Sequence, residues 1–204
     1  NGLQDTEYAS CHFCPRGTTY VNQTTECSIC SAGKHQNNSI TTIASSFSTT
    51  CEWCPVGQFV ADKAQDEAEH IDCKFCPLGR EYIDRTTNCS ICPAGKFQNS
   101  SATPSATCEW CPSGQFILDQ AHDASEHIDC NKCGKMGYEY VSKTKACIVC
   151  RGGRYQDETT LDDLQCKKCP PNKFIADNTK DEDYHDSVDD CTSCQPGTFS
   201  EKGS

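Results

Sequence analysis

All 20 cysteines of this 204-residue chain sit in Cys-x-x-Cys pairs. The pairs are Cys11/Cys14, Cys27/Cys30, Cys51/Cys54, Cys73/Cys76, Cys89/Cys92, Cys108/Cys111, Cys130/Cys133, Cys147/Cys150, Cys166/Cys169 and Cys191/Cys194. Three chemistries use such pairs. Two pairs separated by about 15–20 residues can give four thiolates to one zinc ion. A single pair with a lowered thiol pKa can run redox catalysis. Many pairs together can staple a small secreted fold.

The period separates these chemistries. Start-to-start intervals run 16, 24, 22, then 16, 19, 22, then 17, 19, 25 residues. The pattern returns at every third pair, so the larger period is 62, 57 and 61 residues. Zinc sites or two-bridge modules would group the pairs by twos. Equivalent pairs in successive copies would then find partners on opposite sides. A ladder treats every copy alike, with the second Cys of each pair bonded to the first Cys of the next. It predicts Cys14–Cys27, Cys30–Cys51, Cys54–Cys73, Cys76–Cys89, Cys92–Cys108, Cys111–Cys130, Cys133–Cys147, Cys150–Cys166 and Cys169–Cys191. Cys11 and Cys194 are left to bond beyond the visible ends. Bridges inside each pair would also respect the period. Such bridges are the reducible, catalytic kind, and they would leave the loops unclosed. The expectation is a disulfide ladder with no metal and no cofactor.

The residues around the pairs follow the same period. Cys51-Glu52-Trp53-Cys54-Pro55-Val56-Gly57-Gln58-Phe59 returns as Cys108-Glu109-Trp110-Cys111-Pro112-Ser113-Gly114-Gln115-Phe116. Cys27-Ser28-Ile29-Cys30 returns as Cys89-Ser90-Ile91-Cys92. The organisation is read as residues 1–10, tail of a preceding repeat; 11–72, 73–129 and 130–190, three repeats; and 191–204, the start of a fourth. Asp5, Glu7 and Tyr8 mark that tail. A chain that opens and stops inside its own repeat is expected to be a section of a longer array.

Within the frame recurs a shorter unit, Cys-Pro-x-Gly-x-aromatic. Pro fixes φ after the cysteine and Gly permits positive φ two residues later, which makes a tight turn. Phe59, Phe97, Phe116 and Phe174 are expected to form miniature cores over the bridges. Leu, Ile, Val and Phe together make up only about 14% of the chain. That is too little apolar surface for one large core. Loops of ~15 residues closed by a bridge are worth about 3 kcal/mol each in chain-entropy models, which can offset the missing core.

Charge narrows the function. With 29 Asp+Glu against 18 Lys+Arg and a net charge of −11, the chain lacks the basic stripe that nucleic acid or anionic lipid requires. It has no apolar run long enough to span a bilayer. It contains no Gly-x-Ser-x-Gly, His-Glu-x-x-His or phosphate-binding Gly loop, and it is read as not an enzyme. His70, His127 and His185 share one repeat position beside acidic residues. Residues 177–190 carry seven Asp/Glu and one Lys. A metal site is weighed there against a solvated loop whose His bonds a neighbouring turn, and the loop is preferred. Trp53 and Trp110 are expected to pack over a bridge, with stacking on a glycan as the alternative.

The head-to-tail Cys-x-x-Cys-Pro-x-Gly-x-Phe/Tyr units over residues 11–199 resemble the ephrin-receptor-like cysteine-rich repeats, also called GCC2/GCC3 repeats. They are more distantly similar to tumour-necrosis-factor-receptor cysteine-rich modules. The resemblance implies small disulfide-rich repeats forming an elongated rod, with short β-hairpins, irregular loops, little helix and no large core. Gly134-Lys135-Met136-Gly137 and Arg151-Gly152-Gly153 lack the Pro, so looser turns are expected there.

Asn22, Asn37, Asn88 and Asn99 open Asn-x-Ser/Thr sequons, and Asn37 and Asn99 each lie seven residues after a bridge cysteine. Residues 39–50, with eight Ser/Thr, are a candidate O-glycan carrier. The compartment is expected to be extracellular or the cell surface. The function expected is a glycosylated stalk, wall or filament segment that self-associates, with Phe47, Trp53 and Trp110 as lateral contacts. A receptor or adhesion ectodomain gripping a protein ligand is the alternative.

Overall fold

The computed structural model describes residues 14–37, 50–61, 66–101, 104, 106–118, 123–159, 164–176 and 181–202. The 1–10 tail, Cys11, Phe47 and residues 39–49 of the Ser/Thr-rich stretch lie outside the described residues.

The chain folds as consecutive antiparallel hairpins with two residues per strand. In the first repeat β1 (Thr18–Thr19) pairs with β2 (Ser28–Ile29), β3 (Lys34–His35) with β4 (Glu52–Trp53), and β5 (Gln58–Phe59) with β6 (Lys74–Phe75). In the second β7 (Arg80–Glu81) pairs with β8 (Ser90–Ile91), β9 (Lys96–Phe97) with β10 (Glu109–Trp110), and β11 (Gln115–Phe116) with β12 (Asn131–Lys132). In the third β13 (Tyr138–Glu139) pairs with β14 (Ile148–Val149), β15 (Arg154–Tyr155) with β16 (Lys167–Lys168), and β17 (Lys173–Phe174) with β18 (Thr192–Ser193). Each hairpin begins at a Cys-Pro-x-Gly turn or its relative and ends at the next bridge cysteine. Short 3-10 turns cover Glu67–His70, Ala124–His127, Glu182–Tyr184 and Val188–Asp190, and no α-helix occurs among the described residues. This is the small, disulfide-rich, hairpin-based class that the family resemblance implies.

Isolated two-stranded hairpins are marginal in water, so these must lean on one another. Contacts group the chain into two compact units, residues 1–76, 82–89 and 102–105, and residues 77–81, 90–101 and 106–204. The same bonding rule holds inside each. In the first, Gly17 N–H donates to Gln36 O at 2.8 Å and Gly33 N–H to Val60 O at 2.9 Å. In the second, Gly79 N–H donates to Gln98 O at 2.8 Å and Gly95 N–H to Ile117 O at 3.1 Å. Gly137 to Gln156 and Gly153 to Ile175 follow at 2.8 and 2.9 Å. Each of these six turn glycines thus hydrogen-bonds the residue just after the first strand of the following hairpin.

The loop of the hairpin after that closes over the same glycine. A Cβ on Gly79 would overlap the carbonyl of Ala124, and one on Gly17 would overlap Glu67. The turn glycine therefore answers two demands, a φ of +73° at Gly79 and an absent side chain. Asn172 takes the left-handed place in the turn before β17, at φ 63°, a conformation Asn tolerates better than most residues.

The core consists mostly of bridges. Val60, Ile117, Leu164 and Ile175 supply most of its aliphatic part, at 3%, 1%, 2% and 7% exposure. The miniature-core reading holds for Phe59, which is buried, and is corrected at Phe174, which is 38% exposed, while Phe97 and Phe116 are half-buried. In a strand successive side chains face opposite ways, and the residue after each of Phe116 and Phe174 takes the inward place. The expected looser turns also differ from the structure. Gly137 and Gly153 keep φ at 80° and 71° and make the same bonds as their Pro-bearing counterparts.

Candidate functional site

The structure joins Cys14–Cys27, Cys30–Cys51, Cys54–Cys73, Cys76–Cys89, Cys92–Cys108, Cys111–Cys130, Cys133–Cys147, Cys150–Cys166 and Cys169–Cys191. Each bridge ties the cysteine before a hairpin's turn to the cysteine just before its second strand, with sequence separations from 13 to 22. Cys194 is half-buried and unbridged. The first cysteine of most bridges is nearly inaccessible, as with Cys54 at 1% and Cys111 at 0%.

The three histidines are buried, at 0% for His70, 1% for His127 and 0% for His185. Each sits near the end of an acidic turn in the third hairpin of its repeat and reaches back to the second. His70 Nδ1 lies 3.2 Å from Lys34 O, His127 Nδ1 3.1 Å from Lys96 O, and His185 Nδ1 2.8 Å from Arg154 O. A carbonyl only accepts, so Nδ1 carries the proton in each. The histidine carbonyls accept in turn from Gln36, Gln98 and Gln156 N–H, at 2.9, 2.9 and 2.8 Å. Every repeat therefore has a two-point clamp from its third hairpin onto its second. The rings are buried rather than solvated and bond a strand of the preceding hairpin rather than a turn, which corrects the expected solvated loop.

The acidic residues beside the histidines cap the turns. Asp66 accepts from Ala68 N–H and Asp123 from Ser125 N–H, both at 3.0 Å. Hydrogen bonding by Ser125 holds the Asp123 carboxyl below its ordinary range. Asp186 is pushed up by burial and then by neighbouring Asp190 and Asp183. Of the 177–190 stretch, residues 177–180 lie outside the described residues.

Sequence reasoning missed the partners of the histidines. Gln36, Gln98 and Gln156 are 2%, 4% and 1% exposed. Their signal is a three-step alternation after the first strand of each hairpin, Tyr20, Gln36, Val60, then Tyr82, Gln98, Ile117, then Tyr140, Gln156, Ile175.

Trp53 and Trp110 are 55% and 59% exposed, and each carries a lysine ammonium on its ring. Lys34 Nζ lies 4.8 Å from the Trp53 ring centroid and Lys96 Nζ 5.0 Å from that of Trp110. Each ring faces its cross-strand lysine. In the third repeat Lys168 faces Arg154 at this register, and Lys167 pairs instead with Asp157 and Glu158 at 2.6 Å each. Those two carboxylates hold the Lys167 ammonium above its ordinary range.

The sequon asparagines Asn22, Asn37, Asn88 and Asn99 are all exposed. Asn22 Oδ1 accepts from Thr24 N–H and Thr24 Oγ1, each at 2.9 Å. Asn37 accepts from Arg16 at 2.9 Å and donates to Asp72 at 2.7 Å. Asp84 occupies the place of Asn22 one repeat on, and its carboxyl is lowered chiefly by the hydrogen bonds of Thr86. One His/Cys group, His35 with Cys54 and Cys73, has ligand atoms within 4.8 Å of one another, but its two sulfurs are bonded together. No helix among the described residues is long and apolar enough to cross a membrane.

Bridges at this density belong to an oxidising compartment, and the hairpin frame defines a secreted or cell-surface cysteine-rich repeat segment. The chain is similar to the "Signal peptide, CUB and EGF-like domain-containing protein 2" of Homo sapiens, at 26% identity over 170 residues and 72% of this chain. The Mus musculus protein of the same name matches equally, at 26% over 170 residues. The chain spans 15% of the length of these relatives. No family model matches it.

Proposed function

We propose that this chain is a spacer segment of an extracellular stalk, wall or filament, built from repeats of the ephrin-receptor-like type. The observation that carries this reading is the range of the contacts. Within each unit, the hydrogen bonds between described hairpins run to the next hairpin or to the one after it. A quasi-one-dimensional array of this kind transmits position along its length and builds no deep catalytic pocket. We take the chain to be non-enzymatic, and its partner to be a second copy or further repeats of the same kind.

Small-angle scattering tests the spacer. The radius of gyration should lie well above the roughly 17 Å of a compact chain of this length. A compact value would reject it. Particle images at high concentration should show self-association, and dispersed single particles would reject the filament. One observation favours a second reading, a binding ectodomain. Trp53 and Trp110 are more than half exposed, and aromatic side chains are enriched at interfaces. Binding of a protein ligand that W53A abolishes would support it.

A further inference from the structure

In the second hairpin of a repeat, the second residue of the first strand stands at a place from which a side chain can reach the bridge of the following hairpin. Tyr155 does so in the third repeat, against Cys169 and Cys191. Phe97 holds the same register in the second repeat, opposite Glu109. In the first repeat the position is His35, opposite Glu52, and its ring lies within 4.8 Å of both Cys54 and Cys73 sulfurs. His35 Nδ1 is buried and has no hydrogen-bond partner. A buried polar atom left unpaired costs stability, and an apolar ring fills this place one repeat on.

We propose that Cys54–Cys73 is the exchange-active bridge of this chain and that His35 is its proton donor. The co-reactant is a thiol, either a small thiol or a dithiol oxidoreductase. Cys73 is half-buried whereas Cys54 is 1% exposed, so the incoming thiolate attacks Cys73 Sγ. A sulfur–sulfur bond forms between the thiol and Cys73. The Cys54–Cys73 bond breaks with its electron pair on Cys54 Sγ, and His35 passes a proton to that sulfur. A second thiol then attacks the mixed disulfide, releasing Cys73 as a thiol. Two thiols are oxidised to one disulfide and the bridge takes up two electrons. The leaving sulfur governs the rate of such exchange, and a thiolate expelled into a buried site without a proton is a poor leaving group. Glu52 lies opposite His35 in the hairpin register, and Asp72, which precedes Cys73, accepts from Asn37. His70, from the clamp, is turned onto Lys34 O.

The molecule contains its own control. Cys111–Cys130 has the same separation of 19, an equally buried first cysteine at 0%, and Phe97 in place of His35. The test is partial reduction of the oxidised protein by glutathione, alkylation, and mass mapping of labelled cysteines. Cys54–Cys73 should open about tenfold faster than Cys111–Cys130. H35F should bring the two bridges to parity. F97H should make Cys111–Cys130 fast. Equal opening of the two bridges in the native chain, or a fast bridge retained in H35F, would each overturn the proposal.

Discussion

His127 Nδ1 stands 3.1 Å from the carbonyl oxygen of Lys96, and His127's own carbonyl takes the amide of Gln98 at 2.9 Å. One residue thus holds two points of a neighbouring strand, and His70 and His185 repeat the arrangement. H127F keeps a ring of similar bulk and removes the donor. It leaves Lys96 O without that bond, a loss worth about 1–3 kcal/mol. The bridges keep the chain tethered, so the effect should be local opening. Hydrogen exchange at the Gln98 amide should quicken roughly ten- to a hundredfold. An unchanged rate would remove the clamp from the account of the fold.

Two glycines of one chain should answer an added methyl group in opposite ways. Gly79 holds φ at +73° and faces the Ala124 carbonyl, while a Cβ on Gly134 meets nothing within 4 Å. Gly79→Ala pays about 1–2 kcal/mol for the left-handed backbone alone, with the steric shift added. Gly134→Ala should be within about 0.5 kcal/mol of neutral. Thermal unfolding of the two secreted variants checks this, and equal midpoints would show that the loop does not seat on the glycine.

The three-step period of the cysteine pairs made the bridge ladder legible, because a bridge has to repeat wherever its surroundings repeat, whereas the hairpins were expected only from the family resemblance. The Cys-Pro-x-Gly turn was legible for half of its reason. Positive φ follows from residue type, whereas the loop that seats on Gly79 comes from Ala124, far along the chain. His70, His127 and His185 were visible as a recurring position. Gln36, Gln98 and Gln156 were not singled out, because a buried glutamine and a surface glutamine look alike in sequence. Burial here is set by a backbone bond from the following hairpin. Phe174 was misplaced for a related reason, since a two-residue strand has no alternation long enough to say which of Phe174 and Ile175 faces in.

Asp84 gives the second repeat a pH-sensitive tip. Its carboxylate accepts from Thr86 N–H at 2.7 Å and Thr87 N–H at 2.8 Å, and from both hydroxyls. These bonds favour the charged form and lower the carboxyl below its ordinary range. A group depressed in the folded state contributes fully above its unfolded value, about 3.9 for Asp. The contribution is lost as pH falls through the folded value. Amide exchange at Thr86 and Thr87, corrected for its intrinsic pH dependence, should therefore lose protection only below about pH 4. In D84N, which carries the amide that Asn22 provides one repeat earlier, the loss should vanish. A protection profile shared by both forms would contradict this.

The sequons divide by their surroundings. Asn22 and Asn99 are exposed, and the Asn22 side-chain oxygen is fixed by Thr24 while its amide nitrogen is left on the surface. The middle residue of the Asn88 sequon is Cys89, which is 3% exposed and bonded to Cys76. Closing that bridge competes with modification, because the sequon must be extended and accessible to be used. Protein made in a glycosylating secretory host should lose mass on glycosidase treatment. Deamidation in heavy-oxygen water should mark Asn22, Asn37 and Asn99, with Asn88 low or silent. C76S/C89S, which frees the Asn88 sequon, should raise occupancy there. If no site is marked and the cysteines alkylate without reduction, the chain was never in the secretory pathway, and the spacer reading falls with it.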